Sequence, residues 1–67
     1  MKISQWIEIE QELTDRIGWR ATINIMVDAH RQLYPDKTIY DLTPSEDKQL
    51  TNKIKSTYKR IINANQN

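Results

Sequence analysis

The sequence predicts an all-α protein, a small three-helix domain, and three observations lead to that prediction. The 67 residues include only one glycine and two prolines, so little interrupts helix formation. Apolar side chains recur at helical spacing in three successive segments. The tetrapeptide "TPSE", typical of a helix N-terminus, begins the third of these segments. We expect helices at about 4–17, 20–34 and 44–63 in a single domain spanning residues 1–67.

The first two helices are predicted to separate at Gly18. Before this residue, one face of the chain carries Ile3, Trp6, Leu13 and Ile17, flanked by Ile7 and Ile9. After it, the apolar face comprises Trp19, Ile23, Met26, Val27, His30, Leu33 and Tyr34. On one continuous helix these two faces would lie roughly 130° apart. Because the shift coincides with a glycine, which costs about 1 kcal/mol inside a helix, we expect a break there.

The third helix has a well-defined predicted start. Pro35 ends the second helix, because the residue before a proline is disfavoured in the α conformation. In the loop that follows, we expect Ile39, Tyr40 and Leu42 to contact the core. Thr43 is then the N-cap, and Glu46 completes a capping box around Pro44. The apolar face of the third helix comprises Leu50, Ile54, Tyr58, Ile61 and Ile62.

An alternative arrangement joins the first two helices into one bent helix that pairs antiparallel with the third. Two such hairpins would dimerise as a four-helix bundle. A domain of this size buries only about 60% of its unfolded surface, and small domains often gain stability from a partner. A homodimeric helical bundle therefore remains a second hypothesis beside the single domain.

Composition excludes several classes of protein. The chain has no cysteine, which excludes disulfide scaffolds, cysteine metal sites and thiol catalysis. No apolar run approaches the roughly 18 residues that a membrane span requires. The beginning "MKISQWIEIEQEL" lacks the continuous apolar core of a signal peptide. We expect a cytoplasmic protein that does not bind membranes.

A polar stripe on the third predicted helix indicates nucleic-acid binding. Its members are Lys48, Asn52, Lys55, Lys59 and Asn63. No acidic residue lies three or four positions from any of the three lysines, and Lys55 faces Lys59 at an unfavourable i,i+4 spacing. Lysine suits the phosphate backbone of DNA or RNA, and asparagine suits base edges. The alternative is an ordinary solvated helix face whose cations are favoured by the helix dipole.

The first junction also resembles part of a helix-turn-helix motif. In "LTDRIGWRATINIMV", Gly18 would mark the turn, and the side chains facing DNA would be Arg20, Thr22, Asn24 and Arg31. The match is partial, because Asn24 stands where such motifs bury an apolar residue and Trp19 is bulky just after the turn.

Trp19 and Ile25 predict a protein interface instead. Tryptophan is enriched at binding hot spots, and Ile25, like Ile9, lies off the main apolar faces and would add apolar surface. This interpretation makes the chain a protein-interaction module: an adaptor, an antitoxin-like partner or a mobile-element inhibitor of a host protein. An acidic line of Glu8, Glu12 and Asp15 offers a second docking surface.

No group of residues predicts catalysis, a cofactor or a metal. His30 is the single histidine and lies on an apolar helix side, where we expect it to pack and bond to a carbonyl. The acids of the first helix suit a solvated face, since Glu12 precedes Arg16 at the favourable salt-bridge spacing. No nucleophile has the base and orienting group that catalysis needs. We therefore expect a protein that is not an enzyme.

Overall fold

The computed structural model describes the backbone of residues 1–65 and the side chains of residues 1–64. Its helices are α1, Ile3–Ile17; α2, Trp19–Leu33; and α3, Pro44–Asn65, with a short 3-10 turn at Ile39–Asp41. No strand occurs in the described backbone. The all-α, three-helix fold is confirmed, and each predicted helix end agrees within two residues.

A single residue, Gly18, separates α1 from α2. Its backbone has φ 84° and ψ 156°, a region that is essentially restricted to glycine. The Gly18 N–H donates to the carbonyl of Thr14 at 3.0 Å, which ends α1. Its carbonyl accepts hydrogen bonds from the N–H of Thr22 at 3.1 Å and from the Thr22 hydroxyl at 2.8 Å, which anchors α2. The predicted break is confirmed, and the alternative of one continuous bent helix is wrong.

The core lies around α2, which packs against both α1 and α3. Its buried apolar side chains are Met1, Ile9, Leu13, Ile25, Met26, Ala29, Leu42, Leu50 and Ile54. Thr22 is also fully buried, and its hydroxyl is satisfied by the bond to the Gly18 carbonyl. Half-buried side chains, including Tyr58 and Ile61 of α3, pack around this cluster.

The buried face of α2 differs from the predicted one. Thr22, Ile25 and Ala29 line the core beside Met26, while Trp19, placed on the apolar face by the sequence, is 64% exposed. The pattern of large apolar residues misses this face, because a small alanine and a threonine bonded to the backbone form part of it. Small side chains allow helices to pack closely, so they belong to the contact although they are weakly hydrophobic.

Three other apolar positions also differ from the sequence prediction. Ile3 and Ile7 of α1 are about half exposed, and Tyr40 does not contact the core as expected but is 64% exposed. Ile39 and Leu42, the other two loop residues expected to contact the core, do so.

The start of α3 is held by polar contacts from three parts of the chain. The Thr43 N–H donates to Glu46 Oε1 at 2.9 Å, and the Glu46 N–H donates to the Thr43 hydroxyl at 3.2 Å. The ammonium of Lys37 lies 2.9 Å from Glu46 Oε2, and the N-terminal ammonium of Met1 lies 2.8 Å from Asp47 Oδ1. The predicted capping box is confirmed, and both acids at the start of α3 are paired.

Two side chains at the end of α2 form hydrogen bonds that hold the connection between α2 and α3: His30, in the last turn, and Tyr34, the C-cap. His30 Nε2–H donates to the carbonyl of Lys37 at 2.6 Å, as the sequence predicts for a packed histidine. The Tyr34 hydroxyl donates to Gln49 Oε1 at 2.5 Å. These bonds fix the direction from which the chain enters α3.

Replacing Gly18 with alanine tests the backbone strain at the α1–α2 junction. A Cβ at this position would meet no atom within 4 Å, so any cost comes from the positive φ alone. We expect Gly18→Ala to lower the free energy of unfolding by about 1–3 kcal/mol in urea denaturation followed by circular dichroism. Ser56→Ala, at an exposed helical position, should change it by less than about 0.5 kcal/mol. A Gly18→Ala protein as stable as wild type would contradict the assigned backbone conformation.

Replacing Glu46 with glutamine tests the charged part of the capping box. The Thr43 N–H, and then the Lys37 ammonium, hold the pKa of Glu46 below its ordinary value of 4.5. Because the folded pKa is the lower one, the carboxylate stabilises the fold above its unfolded pKa. That contribution is lost as pH falls through the folded pKa.

Glutamine can still accept the Thr43 hydrogen bond but does not titrate. We therefore expect wild type to be more stable than Glu46→Gln at pH 7, with the difference shrinking as the pH falls below the ordinary pKa of 4.5 and vanishing below the lowered pKa of the folded state. The measurement is urea denaturation of both proteins across this range. A difference that does not depend on pH would show that the Glu46 charge contributes nothing.

Candidate nucleic-acid interface

The five residues of the predicted stripe lie together on the exposed side of α3. Leu50 and Ile54 are fully buried, so the opposite side of the helix faces water. Lys48, Asn52, Lys55, Lys59 and Asn63 are all exposed. In projection they fall within about 80° of one another, centred about 160° from the buried face. We call this surface the α3 strip.

No carboxylate within residues 1–64 pairs with a lysine of the α3 strip. Among the described residues, the ion pairs are those of Met1 with Asp47 and of Lys37 with Glu46. The two acids of α3 are thus occupied by cations that come from outside the helix. Lys48, Lys55 and Lys59 keep their charge directed at solvent, which is the arrangement that an external anion would require.

The charges of the chain are strongly segregated along the sequence. Residues 48–67 contain five Lys or Arg and no acid, whereas residues 1–47 contain five Lys or Arg and nine acids. The overall net charge of +1 therefore hides a basic α3 attached to an acidic remainder. A basic helix on one side of a domain is the electrostatic footprint of nucleic-acid binding.

Lys53 and Arg60 are basic residues that the stripe pattern omits. Both lie on α3 on the side toward α2, about 110° from the centre of the α3 strip. A helical projection centred on the stripe discards them. The signal that would have found them is simpler: no acidic residue follows Asp47 anywhere in the sequence.

One end of the α3 strip lies across a groove from an acidic residue of α1. A groove of about 440 Å³ runs between α1 and α3, with Lys48 and Asn52 on one side and Glu8 on the other. Glu12 and Asp15 of the same predicted acidic line are exposed farther along α1. Because Glu8 would repel a phosphate at this end, Lys55 and Lys59 are the more favourable phosphate ligands.

The two residues predicted to form a protein interface are placed differently. Trp19 is 64% exposed at the start of α2 and is free to contact a partner. Ile25 is only 7% exposed and belongs to the core, so the expectation that it adds exposed apolar surface is wrong. The same holds for Ile9. Each lies off the predicted apolar face yet points at a neighbouring helix.

The helix-turn-helix alternative does not agree with the geometry of the first junction. One residue separates α1 from α2, where the motif needs a turn of three or four. Thr22, expected to face DNA, is fully buried and bonded to the Gly18 carbonyl. Arg20, Asn24 and Arg31 are exposed, but they lie on the opposite side of α2 from Thr22, so the four residues cannot form one DNA-contacting face.

The acidic residues and His30 do not form a metal site in the part of the chain that the structure describes. Within residues 1–65, no three His, Cys, Asp or Glu side chains are grouped so that they could hold a metal ion. Nε2 of His30 is engaged by a backbone carbonyl. Of the helices in this part of the chain, none has both the length and the apolar character needed to cross a lipid bilayer.

Comparison with known proteins identifies no related protein. No protein-family model matches the chain, and no curated protein and no solved structure matches it significantly. A functional interpretation therefore rests on the residues and their geometry.

Proposed function

We propose that this chain is a small, non-enzymatic nucleic-acid-binding or regulatory protein that contacts duplex DNA through the α3 strip. The observation that carries the proposal is the run of five cations after Asp47, with no acid among them and no ion pair to the described residues. A protein without cysteine suits the reducing cytoplasm, which is the compartment we propose.

The residue types of the α3 strip favour duplex DNA over duplex RNA. Lysines bind phosphate oxygens, while asparagine can pair with the exposed edge of adenine in the major groove. The 22 residues of α3 extend about 33 Å, and the DNA major groove is about 12 Å wide, so it admits a helix. The major groove of an RNA duplex is too deep and narrow for side chains to read. Between the two kinds of duplex, only DNA therefore offers base edges in the major groove to Asn52 and Asn63.

The expected affinity is modest for a single chain. Three lysine–phosphate contacts predict a salt dependence of log K on log salt concentration with a slope of about −2.7. Binding of this kind falls in the range of about 10⁻⁴ to 10⁻⁶ M for non-specific complexes. A homodimer that presented two α3 strips would double the number of phosphate contacts.

Reversing the charge of two strip lysines tests this function. We expect Lys55→Glu with Lys59→Glu to abolish binding to duplex DNA at low salt, because two attractive contacts become repulsive. The measurement is a fluorescence-anisotropy titration with a mixed-sequence duplex, and circular dichroism should show unchanged helicity, since both positions are exposed.

The matched control is Lys2→Glu with Arg20→Glu, which makes the same change in net charge away from α3. Both positions are exposed and lie at the beginnings of α1 and α2, where an acid suits the helix dipole. The control should bind DNA within a few-fold of wild type, a difference smaller than that from losing a phosphate contact. If wild type does not bind at low salt, or if both double variants lose binding equally, the α3 strip is not a DNA-binding surface.

A second candidate function is protein interaction through Trp19. The observation that favours it is the exposure of this large apolar side chain, because tryptophan is enriched at binding hot spots. An adaptor, an antitoxin-like partner, a mobile-element inhibitor of a host protein or a homodimer would use the same surface.

Comparing Trp19→Ala with Ile25→Ala tests this candidate. If Trp19 is an anchor, Trp19→Ala should convert a dimer or a partner complex to monomer in sedimentation velocity, with the free energy of unfolding changed by at most about 1 kcal/mol. Ile25→Ala removes a core side chain and should cost about 2–5 kcal/mol of stability. If wild type and Trp19→Ala sediment identically, alone and with cell extract, Trp19 is not an interface residue.

A further inference from the structure

A polar cleft of about 310 Å³ lies between α2 and α3, on a different side of α3 from the strip. From α2, Asp28 and Gln32 line it, one helical turn apart. From α3, Lys53, Thr57 and Arg60 line it at i, i+4 and i+7, which places all three on one face of the helix. Its volume is at the lower end of the range of ligand pockets, about 300–1,000 Å³.

Both cations of this cleft are without a partner in the described part of the chain. No carboxylate of residues 1–64 lies within 4.0 Å of the Lys53 or Arg60 charge, although Asp28 lines the same cleft. Lys53 and Thr57 are half-buried, so they are partly withdrawn from water. Two cations facing one carboxylate across an open space leave an excess positive charge, which favours an anion.

The hydrogen-bonding groups of the cleft restrict which anion fits. Lys53, Arg60 and the Gln32 amide can donate. The carboxylate of Asp28 can only accept, and the Thr57 hydroxyl already donates to the Lys53 carbonyl at 3.0 Å, so its free lone pairs also accept. An anion that still carries a proton can bond to both kinds of group, whereas a fully deprotonated anion places negative oxygens against Asp28.

We propose that this α2–α3 cleft binds a phosphate group that bears a proton, as inorganic phosphate or as the singly protonated form of a phosphate monoester. Lys53 and Arg60 hold the charged oxygens, and Asp28 accepts the hydrogen bond from the protonated oxygen. Sulfate has the same shape but carries no proton near neutral pH, so its oxygens repel Asp28. A backbone phosphodiester has no proton either, which separates this cleft from the α3 strip.

The test is a titration of the wild-type chain with sodium phosphate and, separately, sodium sulfate at constant ionic strength and pH 7. We expect phosphate to shift the backbone amide signals of residues 28–32 and 53–60 in ¹H–¹⁵N spectra, with saturation. Sulfate should bind about tenfold more weakly, the loss expected from one charge-assisted hydrogen bond. Asp28→Asn removes the repulsion and should make the two affinities nearly equal.

Two double variants locate the site. Lys53→Gln with Arg60→Gln should weaken phosphate binding by about tenfold or more, because two charged donors are lost. Lys55→Gln with Lys59→Gln, which removes the same charge from the α3 strip, should leave phosphate binding unchanged. Failure of DNA binding by the strip would not alter either result.

A duplex prepared with and without a 5′-terminal phosphate identifies the source of the phosphate group. Tighter binding of the phosphorylated duplex, lost in the Lys53→Gln, Arg60→Gln variant, assigns the cleft to nucleic-acid ends. Equal binding, together with a positive phosphate titration, assigns it to free phosphate or a small ester. The proposal is overturned if phosphate and sulfate produce equal shifts in wild type, or if phosphate produces none.

Discussion

The burial of Leu50 and Ile54 against α2 is the constraint on which the structure depends. Both side chains are fully buried, and they fix the rotation of α3 about its own axis. That rotation directs Lys55 and Lys59 to solvent and places Lys53 beside α2. The same hydrophobic contact that stabilises a 67-residue chain therefore distributes the cations of α3 between an exposed strip and a cleft.

The arrangement of charge on α3 works against the stability of the helix. Lysines one turn apart repel each other, and a helix selected for stability alone would interleave acids among them. Glu46 and Asp47 do not serve this purpose, because one pairs with Lys37 and the other with the N-terminal ammonium. A like-charge pair at this spacing costs roughly 0.2–0.5 kcal/mol, which matters more in a domain whose small core leaves a narrow margin of stability. We propose that the unpaired lysines of α3 bind an anion, and that this binding is why acids do not neutralise them.

Local signals in the sequence predict the helix boundaries, but they do not predict which sides of the helices contact one another. The break at Gly18 and the capping box at Glu46 depend on a few neighbouring residues, so the sequence determines them. The buried face of α2 depends on contacts across helices. Thr22 can be buried because the Gly18 carbonyl, one turn away, accepts a hydrogen bond from its hydroxyl, and Ile25 is buried because α2 packs against both α1 and α3. The α2–α3 cleft is formed by the same packing of α3 on α2. A helical projection of α3 alone therefore does not predict the cleft or the place of Arg60 in it.

The central claim is that the exposed side of α3 is the DNA-binding surface. Its most direct test is a ¹H–¹⁵N titration of the folded chain with a short DNA duplex at low salt. Backbone amide shifts should concentrate at residues 48–63 and be largest around Lys55 and Lys59, while the amides of α1 stay in place. Shifts centred on Trp19 and Arg20, or unchanged spectra at millimolar duplex, would contradict the account.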